Sequence, residues 1–394
     1  MTHVKRRIAL WSAAILLASP AAFAIKVPTG TEDLTLNLTV LLQARVEGDF
    51  NGPARPPATV PGPAPSGHFN TDFFLRRAQL IASGTAYKYF TYYIKLDTPR
   101  FGLRGDYSGS TFVQDLYVGF VPMPDFNIEA GLLYMPLTHA ALASAVSASA
   151  LEGPADILLY NNAKGLRENG VQIRVLLLDR RILVRGGVYE GARTNTTAAA
   201  TTPPTPPVNP QGTPQFAGMV RLNLIGDETA YFYPTLYLDG KSRVSVGVGA
   251  QYQPHSGALK DAASGSFNDY IALGADVFAD YALTADSEAV LSLGGYRFDY
   301  GTGNAKTGNG LHGEVGYRFG QIEPQGNFYW FNSDTKRNSF VKGAAGLNYL
   351  FRGHQAKIGA EFAVMINNAV ITDAPGRPAT PALHQIIVQG QLAF

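Results

Sequence analysis

The sequence closes on LHQIIVQGQLAF (residues 383–394), and most of this stretch alternates. On an extended chain His384, Ile386, Val388, Leu392 and Phe394 share one face, while Gln385, Gln389 and Gln391 share the other. Successive side chains of a strand point to opposite sides, so a two-residue period means a strand with two unlike surroundings. Apolar residues against a row of glutamines suit lipid on one side and water on the other.

Working back from the end, the same period recurs in segments of about ten residues, the dyad signature of a membrane barrel. Tyr92, Ile94 and Leu96 oppose Thr91, Tyr93, Lys95 and Asp97. Val171, Ile173, Val175 and Leu177 oppose Gln172 and Arg174, and Ile182, Val184 and Val188 oppose Arg185. Val341, Ala345, Leu347 and Tyr349 oppose Lys342 and Asn348. Aromatics gather where strands would end, at Phe73-Phe74, Tyr317 and Phe319, Phe328 to Phe331, and Tyr349 and Phe351, as interfacial girdles require.

Seventeen segments could pass for strands, an odd number for a bacterial barrel with both ends in the periplasm. Loop length resolves the count, because tight periplasmic turns alternate with long outer connections. Tight turns fall near 86–88, 122–125, 179–180, 281–285, 320–321 and 351–353, and long loops near 50–70, 98–110, 135–168, 190–215, 253–267, 300–309 and 367–383. Keeping that alternation makes Ile225 to Ser242 one periplasmic excursion, although Tyr231 to Leu238 has the look of a strand. The expectation is an all-β, transmembrane antiparallel β-barrel of about 16 strands, a size that encloses an aqueous channel. The Pro-rich stretches Pro53 to Pro65 and Pro203 to Pro214 read as surface loops, not linkers between domains.

The N-terminus sets the compartment. Lys5, Arg6 and Arg7 precede an apolar run from Ile8 to Leu17, and Ala22-Phe23-Ala24 offers an A-x-A cleavage site. That is a signal peptide over residues 1–24, too short in its apolar run to anchor in a bilayer, leaving residues 25–394 as the barrel domain. Removing those three cations leaves 29 Lys and Arg against 30 Asp and Glu, a net charge of −1, which gives no reason to expect nucleic acid. The chain has no cysteine, so disulfides and thiolate chemistry are excluded. It is rich in Gly (42), Tyr (20) and Phe (22), with no apolar segment after residue 24 long enough for a transmembrane helix.

A last strand ending at Phe394 resembles the signature read by the outer-membrane insertion machinery. Several longer stretches resemble the phosphate-selective porin O and P family. They are Phe73-Phe74-Leu75-Arg76-Arg77-Ala78-Gln79-Leu80, Gln114-Asp115-Leu116-Tyr117-Val118, and Glu129-Ala130-Gly131 through Met135-Pro136-Leu137. Glu168-Asn169-Gly170-Val171-Gln172, Gly187-Val188-Tyr189-Glu190-Gly191, and Asn348-Tyr349 with Gly353-His354-Gln355-Ala356-Lys357 follow in order. The resemblance spans nearly the whole chain after residue 24. It implies a 16-stranded barrel in outer-membrane lipid, a homotrimer, and a third loop, residues 135–168, folded inward as a constriction.

The alternation puts Arg77, Lys95, Arg174, Arg185, Arg221, Arg243, Arg318, Lys342 and Lys357 on the lumen face, with Asp97, Asp115, Glu129, Asp276, Glu314, Glu323 and Glu361. An anion pore needs a ladder of Arg and Lys to replace lost hydration and repel cations. Nine basic positions against seven acidic ones make a slight tilt instead. The constriction loop carries Lys164 and Arg167 against Glu152 and Asp156, so it departs from the dense basic constriction that the family's phosphate sites need. The expected function is a water-filled channel for passive diffusion of small hydrophilic solutes or anions, with at most a mild anion preference.

The rival classes are a barrel enzyme and a plugged or adhesive barrel. His68, His139, His255 and His354 fall in loops or turns, His312 neighbours only Glu314 on its face, and His384 heads an outward row. None is placed as the base of a nucleophilic pair, and no His, Asp and Glu grouping has metal-ligand spacing. No cofactor is implied. Gly301 to Gly310 is a hairpin loop without a following helix, so it does not cradle phosphate. Arg104-Gly105-Asp106 and Asn195-Thr196-Thr197 match short motifs by letter alone. No folded plug is visible between Ile25 and a first strand at Leu34, which favours an open channel.

Overall fold

The computed structural model describes residues 24–31, 33–53, 66–153, 155–158, 166–192, 209, 212–261, 266–335, 339–367 and 383–394. Its strands are β1 (Leu36–Pro53), β2 (Ser66–Ala86), β3 (Phe90–Asp97), β4 (Phe112–Met123), β5 (Phe126–Tyr134), β6 (Arg167–Leu177), β7 (Ile182–Tyr189) and β8 (Gln215–Ile225). They continue as β9 (Arg243–Gln253), β10 (Tyr270–Thr284), β11 (Ser287–Asp299), β12 (Gly308–Phe319), β13 (Ile322–Ser333), β14 (Phe340–His354), β15 (Ala356–Asn367) and β16 (Leu383–Ala393). Each pairs antiparallel with the next, and β16 closes on β1 in a register running from Ala393 opposite Leu41 to His384 opposite Phe50. Closure leaves no edge in the barrel wall, so every wall strand has a partner on both sides. A three-residue strand, Ile25–Val27, adds to the start of β1.

The alternation has its physical cause in the two environments. Leu42, Leu80, Ile94, Leu116, Ile173, Val220, Val248, Leu273, Val315, Phe362 and Leu392 point outward and are exposed. Tyr93, Lys95 and Asp97 turn inward from β3 and are buried, opposite Tyr92, Ile94 and Leu96. Outward aromatics mark one rim with Phe90, Phe120, Tyr281, Tyr317, Phe319, Tyr349, Phe351 and Phe394, and Phe112, Phe216 and Tyr252 stand toward the other. Tight hairpins close the first rim; at Gly320-Gln321 the chain turns through a left-handed glycine, φ 58°.

The first and second strands run longer than the alternation indicates, reaching Pro53 and starting at Ser66, so less of 50–70 is loop. β1 begins at Leu36, with Leu34 only a bridge to Ala86. Arg167 and Glu168 belong to β6, so the third loop ends at residue 166. The chain from β8 to β9 is one excursion, as the loop count requires, with Ile225 itself the last residue of β8, so that the excursion runs over 226–242. Pro234 lacks the N–H that a central strand would donate.

The third loop folds inward as the resemblance implies, and a second segment that the sequence does not announce joins it in the lumen. Two segments fold into the lumen: the third loop and the periplasmic excursion 226–242. Loop residues Leu137, Ala140, Ile157 and Leu158 pack on inward aromatics of β10 to β14, including Tyr270, Phe298 and Tyr329. Excursion residues Tyr231, Phe232 and Tyr233 pack with Tyr93, Tyr117, Tyr134 and Tyr189 on the opposite wall. Leu236 reaches on to Phe278, Val290 and Leu350. The excursion therefore crosses the barrel from β3 to β14.

Candidate functional site

The third loop is held across the lumen by hydrogen bonds from the wall to its backbone. Gln391 donates to the Val146 carbonyl (2.9 Å), Lys357 to Ala148 (2.5 Å), Asn348 to Ser149 (2.8 Å) and Arg45 to Leu151 (2.7 Å). The Leu151 N–H in turn donates to the Glu361 carboxylate at 3.0 Å. A buried irregular backbone must find such partners, since it has no ladder of its own. The close approach also needs a wall without side chains. A Cβ at Gly249 of β9 would lie 2.1 Å from the Leu137 carbonyl oxygen.

Between this loop and the wall of β2 to β4 lies a cavity of about 240 Å3. Arg76, Arg77 and Gln79 line it from β2, Lys95 from β3, Gln114 from β4 and Arg167 from β6, with Tyr134, Glu152 and Phe232. Asp115 is fully buried behind it and accepts from both Lys95 Nζ (2.6 Å) and Arg167 Nε (2.9 Å). The register sets Lys95 directly opposite Asp115, so the pair follows from the strand alignment. Asp97 lies one bulge away and accepts from Gln114 at 2.9 Å, so Asp97 and Asp115 do not share a site. Arg167 also lies over the Tyr134 ring, 3.7 Å from its centre. Arg77 donates to the neutral Gln43 amide at 2.8 Å.

Glu152 hangs from the loop into this cavity and pairs with Arg45 and, at 3.4 Å, with Arg76. Burial alone would push its carboxyl up, but Arg45, Arg76 and Lys342 outweigh that and hold it below the usual carboxylate range. It is therefore an ionised anchor that offsets Arg76 of the cavity and Arg45 of the wall. Lys164 lies outside the described residues, as does the side chain of Asp156, whose backbone sits in the one-turn helix Ala155–Leu158.

Arg174, Arg185, Arg221 and Arg243 turn inward, but they do not border open water: the excursion covers them. Arg174 and Arg185 stand directly opposite each other on β6 and β7, a like-charge pair that needs compensation. Arg174 pairs with Glu129 (3.2 Å) and donates to the Thr229 carbonyl (2.6 Å), while Arg185 donates to the Ala230 carbonyl (2.6 Å). Glu129 also accepts from Gln172 at 2.6 Å. Arg221 bonds Glu228 (3.2 Å) and Asp276 (2.5 Å), and Arg243 bonds Asp239 (2.7 Å).

Glu228 and His139 carry no signal in sequence that marks them, yet they join the two inward segments. The His139 ring nitrogen lies 3.1 Å from Glu228, and the ring stacks between Phe278 (3.9 Å) and Tyr233 (4.7 Å). Burial would raise the Glu228 carboxyl, but His139, Arg221 and the Ser245 hydroxyl hold it below the ordinary glutamate range. One clue was legible. Tyr231-Phe232-Tyr233 with Leu236 and Tyr237 is too apolar for a turn in water. Among the described residues no grouping of three His, Cys, Asp or Glu could hold a metal ion.

With this geometry in hand, residues 66–230 match the profile of the family described as phosphate-selective porin O and P. No curated protein matches the sequence. Among solved structures, an anion-selective porin from Comamonas acidovorans is similar with a TM-score of 0.59 and 12% identity, over 92% of this chain and 100% of that one. OprB of Pseudomonas putida gives 0.57 and 8% identity, over 91% and 94%. The outer-membrane channel DcaP of Acinetobacter baumannii gives 0.55 and 10%, over 92% and 97%. At such identities these likenesses concern the fold. Sixteen closed strands, an inward third loop and the family match over residues 66–230 make this chain an outer-membrane porin, similar in that region to the phosphate-selective porin O and P family.

Proposed function

We propose that the barrel passes small hydrophilic solutes by passive diffusion, with a weak preference for anions and without high phosphate affinity. The observation that carries this reading is the cavity beside the third loop. Its cations Arg76, Lys95 and Arg167 share Glu152 and Asp115, while Arg77 donates to the Gln43 amide and lies in the field of Glu152 and Asp97. A tight phosphate site needs several unshared guanidinium and ammonium donors converging on one point. Here most of that charge is already answered by carboxylates. The barrel has no enzymatic role on this reading. Export by cleavage after Ala24, membrane insertion through the last strand and its Phe394, and a homotrimer complete the proposal. The structural neighbour OmpT of Vibrio cholerae is described in a trimer form, at 10% identity and a TM-score of 0.54.

Single-channel current through the purified protein in a planar bilayer tests it, with reversal potential read under a salt gradient and phosphate then titrated. Stable open steps, a weak anion tilt and no phosphate block are expected. Strong anion selectivity with sub-millimolar phosphate block (on the order of 0.1 mM) would overturn the weak-preference reading. Absence of any conductance would overturn the channel.

A further inference from the structure

The excursion between β8 and β9 lies on the side of the short turns, yet its middle is buried: Tyr233 and Leu236 are 0% exposed and Phe232 3%. It is also bonded to the third loop, which enters from the opposite rim. Tyr233 N–H donates to the Leu142 carbonyl (3.0 Å), and Ser144 N–H to the Tyr233 carbonyl (2.8 Å), a short parallel bridge inside the lumen. The Thr235 hydroxyl donates to the Ser147 carbonyl at 2.5 Å, and Tyr134 N–H to the Tyr231 hydroxyl at 3.2 Å. The far end is tied to the wall, where His354 reaches the Leu236 carbonyl (2.7 Å) and Tyr237 N–H donates to Asp280 (2.7 Å).

We infer that residues 229–238 form a strap that sets the size limit of the pore from the periplasmic side, with Phe232 as its solute-facing residue. The inference rests on the channel reading and goes beyond it. Phe232 is the strap ring that meets the cavity beside Lys95, whose ammonium lies 5.0 Å from the ring centre. A turn that serves only to connect two strands is short, or solvated where it is long. This one instead spends its aromatics on crossing the lumen. Arg174 and Arg185 face its carbonyls, so much of the inward positive charge of β6 and β7 holds the strap and does not meet solute.

Two variants test it, measured with the full chain in planar bilayers and in liposomes swollen by sugars of increasing size. One replaces residues 229–238 with a short Gly-Ser turn. The other, Tyr231→Ala with Phe232→Ala, gives up the Tyr231 hydroxyl bond but keeps the strap backbone and the bonds that Tyr233 and Thr235 make to the loop. Folding is checked by the mobility shift of unheated barrel in gels. Removing the strap is expected to raise conductance about twofold or more, since current follows open cross-section, and to admit larger sugars; the double variant should move both in the same direction by less. Folded variants with the conductance and sugar limit of the parent would overturn the strap. No current and no swelling with any of the three proteins would overturn the channel reading itself. If the turn replacement fails to fold, the double variant decides alone.

Discussion

Replacing Arg221 by methionine tests the buried network that docks the inward segments. The Arg221 side chain is fully buried, and its partners Glu228 and Asp276 are each 1% exposed. Methionine keeps most of the volume but removes the cation between two carboxylates. Glu228 retains His139, the Ser245 hydroxyl (2.5 Å) and Tyr237 (3.0 Å), while Asp276 retains the His139 N–H (3.1 Å). Breaking a buried ion pair by deleting one partner costs about 3–5 kcal/mol, chiefly through the charge left uncompensated. Neutralising the survivors as well, in Arg221→Met/Glu228→Gln/Asp276→Asn, removes that penalty. The triple variant should recover to within about 1–2 kcal/mol of the parent. The assay is denaturant unfolding of the barrel in detergent, read from the folded and unfolded gel bands. A single variant costing under about 1 kcal/mol, or a triple no better than the single, would refute the reasoning.

Asp115→Asn leaves Lys95 and Arg167 facing the cavity without their shared anion; the anion-to-cation permeability ratio should rise roughly twofold or more, read from the reversal potential in a salt gradient. The pH response follows from Glu228 and Glu152, whose carboxyls are held below the ordinary value of 4.5. Their stabilising contribution is complete above that value and is lost only as pH falls through the lower folded values, so their docking bonds should persist at pH 4. Single-channel steps compared at pH 7 and pH 4 check this, and a transition near pH 4.5 that Glu228→Gln abolishes would contradict it. Gly249→Val drives a side chain into the Leu137 carbonyl and should cost about 1–3 kcal/mol and alter conductance by displacing the third loop. Denaturant midpoints and bilayer recordings report both effects.

Much of the barrel was written locally. A strand facing lipid on one side and a filled or watered lumen on the other must alternate, so Thr91 to Asp97 and residues 383–394 declare their faces without any knowledge of neighbours. The strand count follows from loop lengths, which is why residues 225–242 read as one excursion despite the strand-like Tyr231 to Leu238. Lys95 and Asp115 could be placed on the lumen side for the same reason, but their pairing needed the register of β3 on β4. The destination of a loop is a different kind of fact. Nothing local in residues 226–242 says whether that segment hangs in water or crosses the lumen. That depends on carbonyl acceptors meeting Arg174 and Arg185, and on rings meeting Tyr93 and Tyr117 across the barrel. So alternation by itself determined a porin-like barrel and which residues turn inward. Only the closed tertiary structure decided which inward charges meet solute and which lie beneath a strap, because that rests on contacts between segments far apart in sequence, as in Tyr134 with Tyr231, 97 residues on.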